Sequence, residues 1–115
     1  MTNIILYKKN RQIIGFEIKG HTGKAERGSD ILCSAISSTS QMIVVGINEI
    51  LNLNAFVEIS DGYLKIKLRE CDYENEKAQV LFKTFEKSIR EIIVDEKKYV
   101  RMEVRNEIWF TTLCS

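Results

Sequence analysis

Apolar side chains alternate with other residues near the start of the chain. Ile14, Phe16 and Ile18 stand at every second position, and the segment 3–7 before them is apolar and rich in β-forming residues. Such alternation is typical of a strand that buries one face. The segment 8–12 between the two runs is polar, so we predict that it forms the turn of a hairpin.

The apolar spacing changes to three and four residues in the segment 31–51, which predicts a helix with one buried face. Its apolar stripe consists of Leu32, Ile36, Met42, Ile43, Ile47, Ile50 and Leu51. Ser29 or Asp30 is the predicted N-cap, because short oxygen-bearing side chains accept hydrogen bonds from the first amides of a helix. With Asp30 as the cap, Cys33 would lie in the first turn, close to unpaired amides and the positive end of the helix dipole.

The second half of the chain repeats the change from strand to helix. Asp61-Gly62 between the apolar segments 56–59 and 63–68 is a strong signal for a tight hairpin. A second helix is predicted over 74–94 from its stripe of Ala78, Leu81, Phe82, Phe85, Ile89, Ile92 and Ile93. A further strand follows from the alternation of Val100, Met102 and Val104. The apolar segment 108–113 is compatible with another strand, a dimer contact or an ordered tail.

The predicted element order is ββαββαβ. This order indicates an α+β fold in which two helices pack on one face of a mostly antiparallel sheet. A chain of 115 residues is long enough for one core and too short for two, so we expect a single domain over 1–115.

Composition argues against several classes of function. A formal net charge of +1 provides no basic surplus for binding nucleic acid. No apolar run is expected to reach the roughly 20 residues that span a bilayer, so a membrane role is not predicted. Three widely spaced cysteines, Cys33, Cys71 and Cys114, predict free thiols in the cytoplasm, with the last two as bystanders.

The candidate chemistry lies in one short stretch. His21, the only histidine, precedes Cys33 by twelve positions. A cysteine attacks as its thiolate, and a neighbouring imidazole or a helix N-terminus lowers its pKa from an ordinary value of about 8.5. Ser37 and Gln41 follow Cys33 at four and eight positions. Cys33 is therefore expected on the polar flank of the helix and not squarely in the core.

Three glycines, Gly20, Gly23 and Gly28, surround the charged residues of the segment 20–29. Glycine permits chain reversal and a close approach to another backbone. We therefore predict a mobile loop over 20–29 that closes over a bound peptide.

Other interpretations of the same residues remain open. A lone cysteine in a helix is often a small core residue. A redox-sensing thiol at Cys33 would need Cys71 or Cys114 as its resolving partner. A zinc site would combine His21, Cys33 and another cysteine, although the paired ligands of structural zinc sites are missing. A non-catalytic protein-binding module would not need the thiol at all.

The residues around Cys33 also match a known pattern. Gly20-His21, followed by Gly28, Asp30 and the run Ile31-Leu32-Cys33-Ser34-Ala35-Ile36-Ser37, closely resembles the signature of the Prp family of bacterial ribosomal-processing cysteine proteases. Thr22 and Ser34 stand where alanine is more usual in that family. Neither of these two positions carries a group that must transfer a proton.

The resemblance implies a function and a set of roles. Cys33 would be the nucleophile and His21 the general base, while Asp30 would support the pair or only cap the helix. Ser37 matches a recurring serine of the family. The substrate would be the short N-terminal extension of large-subunit ribosomal protein number twenty-seven, cut after an aromatic-containing stretch. The resemblance implies no cofactor or metal, and it implies a homodimer. A non-catalytic ribosome-assembly module is the alternative to the protease.

A cleft that receives aromatic side chains should itself be apolar. Tyr63, Trp109 and Phe110 are the aromatic residues that we consider for its lining, because aromatic residues recur at interfaces.

Overall fold

The computed structural model describes residues 1–20 and 26–107, with the side chains of 26–30 excepted. The main elements are β1 (Thr2–Lys9), β2 (Gln12–Lys19), α1 (Glu26–Val45), β3 (Phe56–Ser60), β4 (Tyr63–Lys67), α2 (Glu76–Ile92) and β5 (Val100–Asn106). A π-helical segment (Gly46–Ile50) continues α1, and a short 3-10 helix (Glu70–Asp72) precedes α2. The predicted order ββαββαβ is confirmed.

The five strands form one sheet in the order β3-β4-β2-β1-β5. All neighbouring strands are antiparallel except β1 and β5, which are parallel. The predicted mostly antiparallel sheet is therefore confirmed. The parallel pair arises because α2 and the segment after it carry the chain back over the sheet before β5 begins, as a crossover connection does.

Both helices contribute to one core on one face of the sheet. The buried core side chains include Ile4, Phe16 and Ile66 from the strands and Ile36, Ile43, Phe82, Phe85 and Ile89 from the helices. Phe16 stacks on Phe85 with ring centroids 3.8 Å apart, and it meets Phe82 edge to face at 6.0 Å. These contacts fix α2 against the middle strand of the sheet.

A bulge in β2 interrupts the alternation that predicted the strand. The register with β1 shifts between Tyr7 and Lys8, whose partners are Gly15 and Ile13. Gln79 of α2 satisfies the displaced backbone of Ile13: its Oε1 accepts from the Ile13 amide at 3.0 Å, and its Nε2 donates to the Ile13 carbonyl at 2.8 Å. Nε2 also donates to the carbonyl of Tyr73 at 3.0 Å. The buried amide thus joins α2 to the sheet.

The ends of the two helices differ from the predicted ends. α2 is two residues shorter at each end than the predicted 74–94, and Asn75 caps it by accepting a hydrogen bond from the Ala78 amide at 3.0 Å. α1 begins at Glu26, upstream of both predicted caps. The charged residues Glu26 and Arg27 have adequate helix propensity. Helix formation therefore extends past Ser29 and Asp30, and neither of them is the N-cap.

The expectation that no apolar run approaches the length of a membrane span was wrong for one segment. Ile31–Ile50 is long and apolar enough to cross a bilayer by length and composition alone. In the fold its residues Ile36, Ile43 and Ile47 are buried in the core. A core helix passes the same compositional test, so the segment is explained by packing against the sheet.

Candidate active site

Cys33 lies on the flank of α1, beside the stripe that enters the core. Its neighbours Leu32 and Ile36 are buried, whereas Cys33 is half-buried and its thiol is not part of a disulfide. Ser37 and Gln41, one and two turns further on, are exposed. The predicted placement of Cys33 on the polar flank is confirmed.

This flank of α1 forms one wall of a cavity. The cavity has a volume of about 210 Å³ and is lined from α1 by Cys33, Ile36, Ser37, Ser40 and Gln41. The opposite wall is the helix-facing side of the sheet at β2, β3 and β4, with Ile18, Ile59 and Leu64. Thiol and hydroxyl groups therefore line one wall, and aliphatic side chains line the other.

Gly20 closes the end of the cavity where β2 ends. Its φ of +97° lies in a region that L side chains avoid, and a Cβ there would come within 2.6 Å of the Met1 carbonyl oxygen. Its amide donates to the carbonyl of Gly62 at 2.8 Å, and both glycines line the cavity. Only glycine fits this position, which immediately precedes His21 in the chain.

Residues 26–29 of the predicted loop over 20–29 are helical. Gly28 lies within α1, so its assignment to the loop was wrong. His21 and Gly23 lie outside the described residues. Asp30 is inside the helix and does not begin it, so its predicted capping role is also wrong.

The early start of α1 changes the surroundings of Cys33. Cys33 lies about two turns after Glu26, beyond the first turn in which the helix dipole acts. Amides this far into a helix are used by the helix's own carbonyls. The predicted help from a helix N-terminus is therefore not available to Cys33.

Ser37 differs from Thr39 and Ser40 of α1 in its hydrogen bonding. Thr39 and Ser40 donate to the carbonyls of Ala35 and Ile36, at 2.8 and 2.6 Å. The Ser37 hydroxyl oxygen instead accepts a hydrogen bond from Gln41 Nε2 at 2.9 Å. This hydrogen bond uses a lone pair of Ser37 and not its O–H, and the residue borders the cavity that also contains Cys33.

Tyr63 is the one predicted aromatic lining residue within the described residues. It is one of the residues at the cavity, but its side chain lies on the face of the sheet opposite that of Leu64, where its hydroxyl donates to Glu17 Oε2 at 2.6 Å. The ring therefore does not form the predicted aromatic lining. The hydrogen bond, together with desolvation and the charge of Glu17, raises the pKa of Tyr63. Trp109, Phe110 and the whole segment 108–113 lie outside the described residues.

Several lining residues were not predicted from the sequence. These include Ile59 of β3, Gly62 in the turn between β3 and β4, and Thr2 at the start of β1. The hairpin signal located this turn correctly. The pattern of the chain does not show that the sheet order places this hairpin opposite Cys33.

The cysteines bear on the alternative interpretations. Cys71 is disulfide-bonded, so the expectation of a reduced thiol there was wrong. Cys33 is not in a disulfide, so the two are not bonded to each other. Cys114 lies outside the described residues. Within residues 1–20 and 26–107, no three His, Cys, Asp or Glu side chains are grouped so that they could hold a metal ion.

Three solved structures share this fold. The Streptococcus mutans protein SMU.848 is 25% identical, with a TM-score of 0.83, over 93% of this chain and 96% of that one. The essential ribosomal processing protease Prp from Staphylococcus aureus, in complex with a covalently linked product peptide, is 19% identical, with a TM-score of 0.81, over 91% and 100%. The same protease with a substrate peptide is 18% identical, with a TM-score of 0.79, over 91% of this chain and 100% of that one.

No curated protein sequence matches the chain. The family model described as cysteine protease Prp matches residues 1–101, which include the stretch from Gly20 to Ser37 and both walls of the cavity. The match therefore covers most of the chain and not the motif alone. By this match the chain belongs to the cysteine protease Prp family.

Proposed function

We propose that this protease removes the N-terminal extension of large-subunit ribosomal protein number twenty-seven during ribosome maturation. The observation that carries the proposal is the thiol of Cys33, half-buried and bordering a cavity of about 210 Å³ with an aliphatic wall. An aliphatic cavity of roughly 150 Å³ can hold a benzene molecule, so this one has room for an aromatic side chain. The family match and the peptide complexes of the Staphylococcus aureus protease support the same substrate class.

Cys33 is the proposed nucleophile and His21 the general base. His21 takes the proton of the Cys33 thiol, and the thiolate sulfur attacks the carbonyl carbon of the scissile peptide bond. The amine product leaves with the proton from His21, and a thioester joins the acyl product to Cys33. Water then attacks the thioester, which releases the carboxylic acid and returns the proton to the thiol.

The proposed site of action is the cytoplasm, where ribosomes assemble, and the proposed form is a homodimer. α1 supports the second point, because Ile31, Met42 and Val45 lie on one helix face and are 72%, 62% and 43% exposed. Exposed apolar residues grouped on one face favour a contact with a second copy. Sedimentation at low protein concentration tests this point, and substitution of Met42 by Asp should shift the protein to monomer.

The function is tested by mass spectrometry of the precursor ribosomal protein after incubation with the protease. Wild-type protein should make a single cut near the precursor N-terminus, and Cys33→Ala and His21→Ala should make none. Ser34→Ala is the matched control, because Ser34 is exposed on the same helix and does not border the cavity, and it should cut normally.

Two results would contradict the proposed function. An intact precursor after incubation with folded wild-type protein would exclude this substrate. Retention of the biological activity by Cys33→Ala would instead indicate a non-catalytic binding module.

A further inference from the structure

β3 forms an unprotected edge of the sheet beside the cavity. It pairs only with β4 within the described residues, so its other side faces away from the sheet. Natural edge strands are usually blocked by proline, lysine or a bulge. β3 has the sequence FVEIS, without proline or lysine, and its register with β4 is continuous from Phe56 to Ser60. Such an edge can accept another strand.

The hairpin turn determines which backbone groups of β3 point outward. Ser60 and Tyr63 flank the two-residue turn Asp61-Gly62 and form a register pair. A turn of this length makes the flanking residues a hydrogen-bonded pair. Because hydrogen-bonded and non-hydrogen-bonded pairs alternate along an antiparallel ladder, the N–H and C=O groups of Val57 and Ile59 point away from β4.

Ile59 also contributes its side chain to the cavity. Its register partner Leu64 is buried on the helix-facing side of the sheet, so Ile59 lies on that side too. Ile59 is nevertheless 56% exposed, and it borders the same cavity as Cys33. A single residue therefore presents outward backbone groups and an apolar side chain next to the thiol.

We propose that the substrate peptide binds as an added strand on the free edge of β3, with its backbone hydrogen-bonded to Ile59 and Val57. Alternate side chains of the peptide then enter the cavity between β3 and α1, and the scissile bond lies against Cys33. Main-chain hydrogen bonds provide affinity in this mode of recognition, and the pocket for alternate side chains provides specificity. The inference rests on the proposed peptidase function and specifies how its substrate is held.

The first test separates the backbone of Ile59 from its side chain. Ile59→Ala removes most of the side chain and keeps the amide, whereas Ile59→Pro also removes the amide. Proline is tolerated on an edge strand where the N–H faces outward, so pairing with β4 should survive. We expect Ile59→Pro to have a kcat/KM at least tenfold below that of Ile59→Ala, with a similar melting temperature. Equal kcat/KM values for the two folded variants would overturn the proposal.

The second test changes the peptide backbone and leaves β3 of the protein unchanged. Peptides spanning the cleavage site, each with one N-methylated backbone amide, are compared for cleavage by wild type and for binding to Cys33→Ala. Strand addition predicts that methylation at every second position weakens both cleavage and binding by tenfold or more. If methylation weakens cleavage and binding without this alternation, strand addition is overturned, even when the unmodified peptide is cleaved normally. If wild type cuts no unmodified peptide, the proposed function fails, and binding to Cys33→Ala still decides the binding mode.

Discussion

Gln41 donates a hydrogen bond to the hydroxyl oxygen of Ser37 at 2.9 Å, and both side chains border the cavity that contains Cys33. The bond occupies a lone pair of Ser37 and leaves its O–H to donate elsewhere. α1 starts too far upstream for unpaired helix amides to lie next to Cys33. We therefore predict that the Ser37 hydroxyl, which borders the same cavity as Cys33, donates to the developing oxyanion.

Removal of this donor should lower kcat more than it changes KM. We expect Ser37→Ala to reduce kcat by about 10- to 100-fold, somewhat less than the loss of a fully buried oxyanion donor, because Ser37 is exposed. Gln41→Ala should cause a smaller loss, and the double variant should be no worse than Ser37→Ala, since Gln41 acts through Ser37. Steady-state kinetics on a fluorogenic peptide measures all three, with Ser38→Ala, which does not border the cavity, as the control. An unchanged kcat for Ser37→Ala would exclude this role.

Gln79 holds the bulge of β2 through three hydrogen bonds to backbone groups of Ile13 and Tyr73. Two of these bonds need a donor on the side chain. In Gln79→Glu, the ionised carboxylate would face two carbonyl oxygens in a buried site, whereas the protonated acid could still donate to one of them. The pKa of the introduced carboxyl should therefore be raised above its ordinary value of about 4.3.

A raised folded-state pKa means that stability is retained below the unfolded value and lost as the pH rises through the folded value. Relative to wild type, Gln79→Glu should thus be more destabilised at pH 7.5 than at pH 4.5, by at least about 1 kcal/mol. Urea denaturation at the two pH values measures the difference. Gln79→Leu is the control, since it leaves the same backbone groups unpaired and should be destabilised equally at both. A penalty for Gln79→Glu that does not change with pH would contradict this account.

The element order could be predicted because the chain's periodicities agree with its tertiary packing. The change from two-residue to three- and four-residue spacing located α1 and α2, and Asp61-Gly62 located the second hairpin. The element ends were less predictable. Ser29 and Asp30 are good caps, but the residues before them also favour a helix, so α1 begins at Glu26.

The candidate site was predicted only in part, because sequence spacing reports local geometry and not contacts between distant parts of the chain. The polar flank of Cys33, Ser37 and Gln41 follows from helix geometry, which is local. The opposite wall, with Ile18, Ile59 and Leu64, depends on strand order, which brings together residues far apart in the chain. The pairing of Gln79 with the bulge at Ile13 is also long-range, and no spacing rule indicates it.

Gly15 is required by the close approach of β2 and β4. A Cβ on Gly15 would come within 2.2 Å of the Ile66 carbonyl oxygen and 2.9 Å of the Lys67 Cα, both of which are backbone atoms that cannot rotate away. Gly15→Ala should therefore separate the two strands and reduce the free energy of unfolding by about 2 kcal/mol or more. Thermal denaturation measures the loss. Gly46→Ala is the comparison, because its nearest neighbour is the flexible side chain of Leu81 and its cost should be smaller. Equal losses for the two variants would contradict the argument.

Tyr63 and Glu17 link β4 to β2 by a hydrogen bond of 2.6 Å across the face of the sheet opposite the helices. The carboxylate of Glu17 accepts a hydrogen bond from the phenolic O–H of Tyr63. Loss of the phenolic proton would therefore place two negative charges side by side. The pKa of Tyr63 is therefore raised from its ordinary value of about 10. The stabilisation is fully present below pH 10, and it is lost as the pH rises above 10, because the unfolded chain then releases a proton that the folded protein retains.

Tyr63→Phe should have two effects on the free energy of unfolding. At pH 8 it should lower this free energy by about 1 kcal/mol through the lost hydrogen bond. Between pH 9.5 and 11 the variant should lose stability less steeply than wild type, so the two curves converge. Urea denaturation across this range measures both effects. Glu17→Gln keeps an acceptor but removes the charge, and it should also flatten the alkaline slope. If the slopes of wild type and Tyr63→Phe are equal, the hydrogen bond to Glu17 does not control the titration of Tyr63.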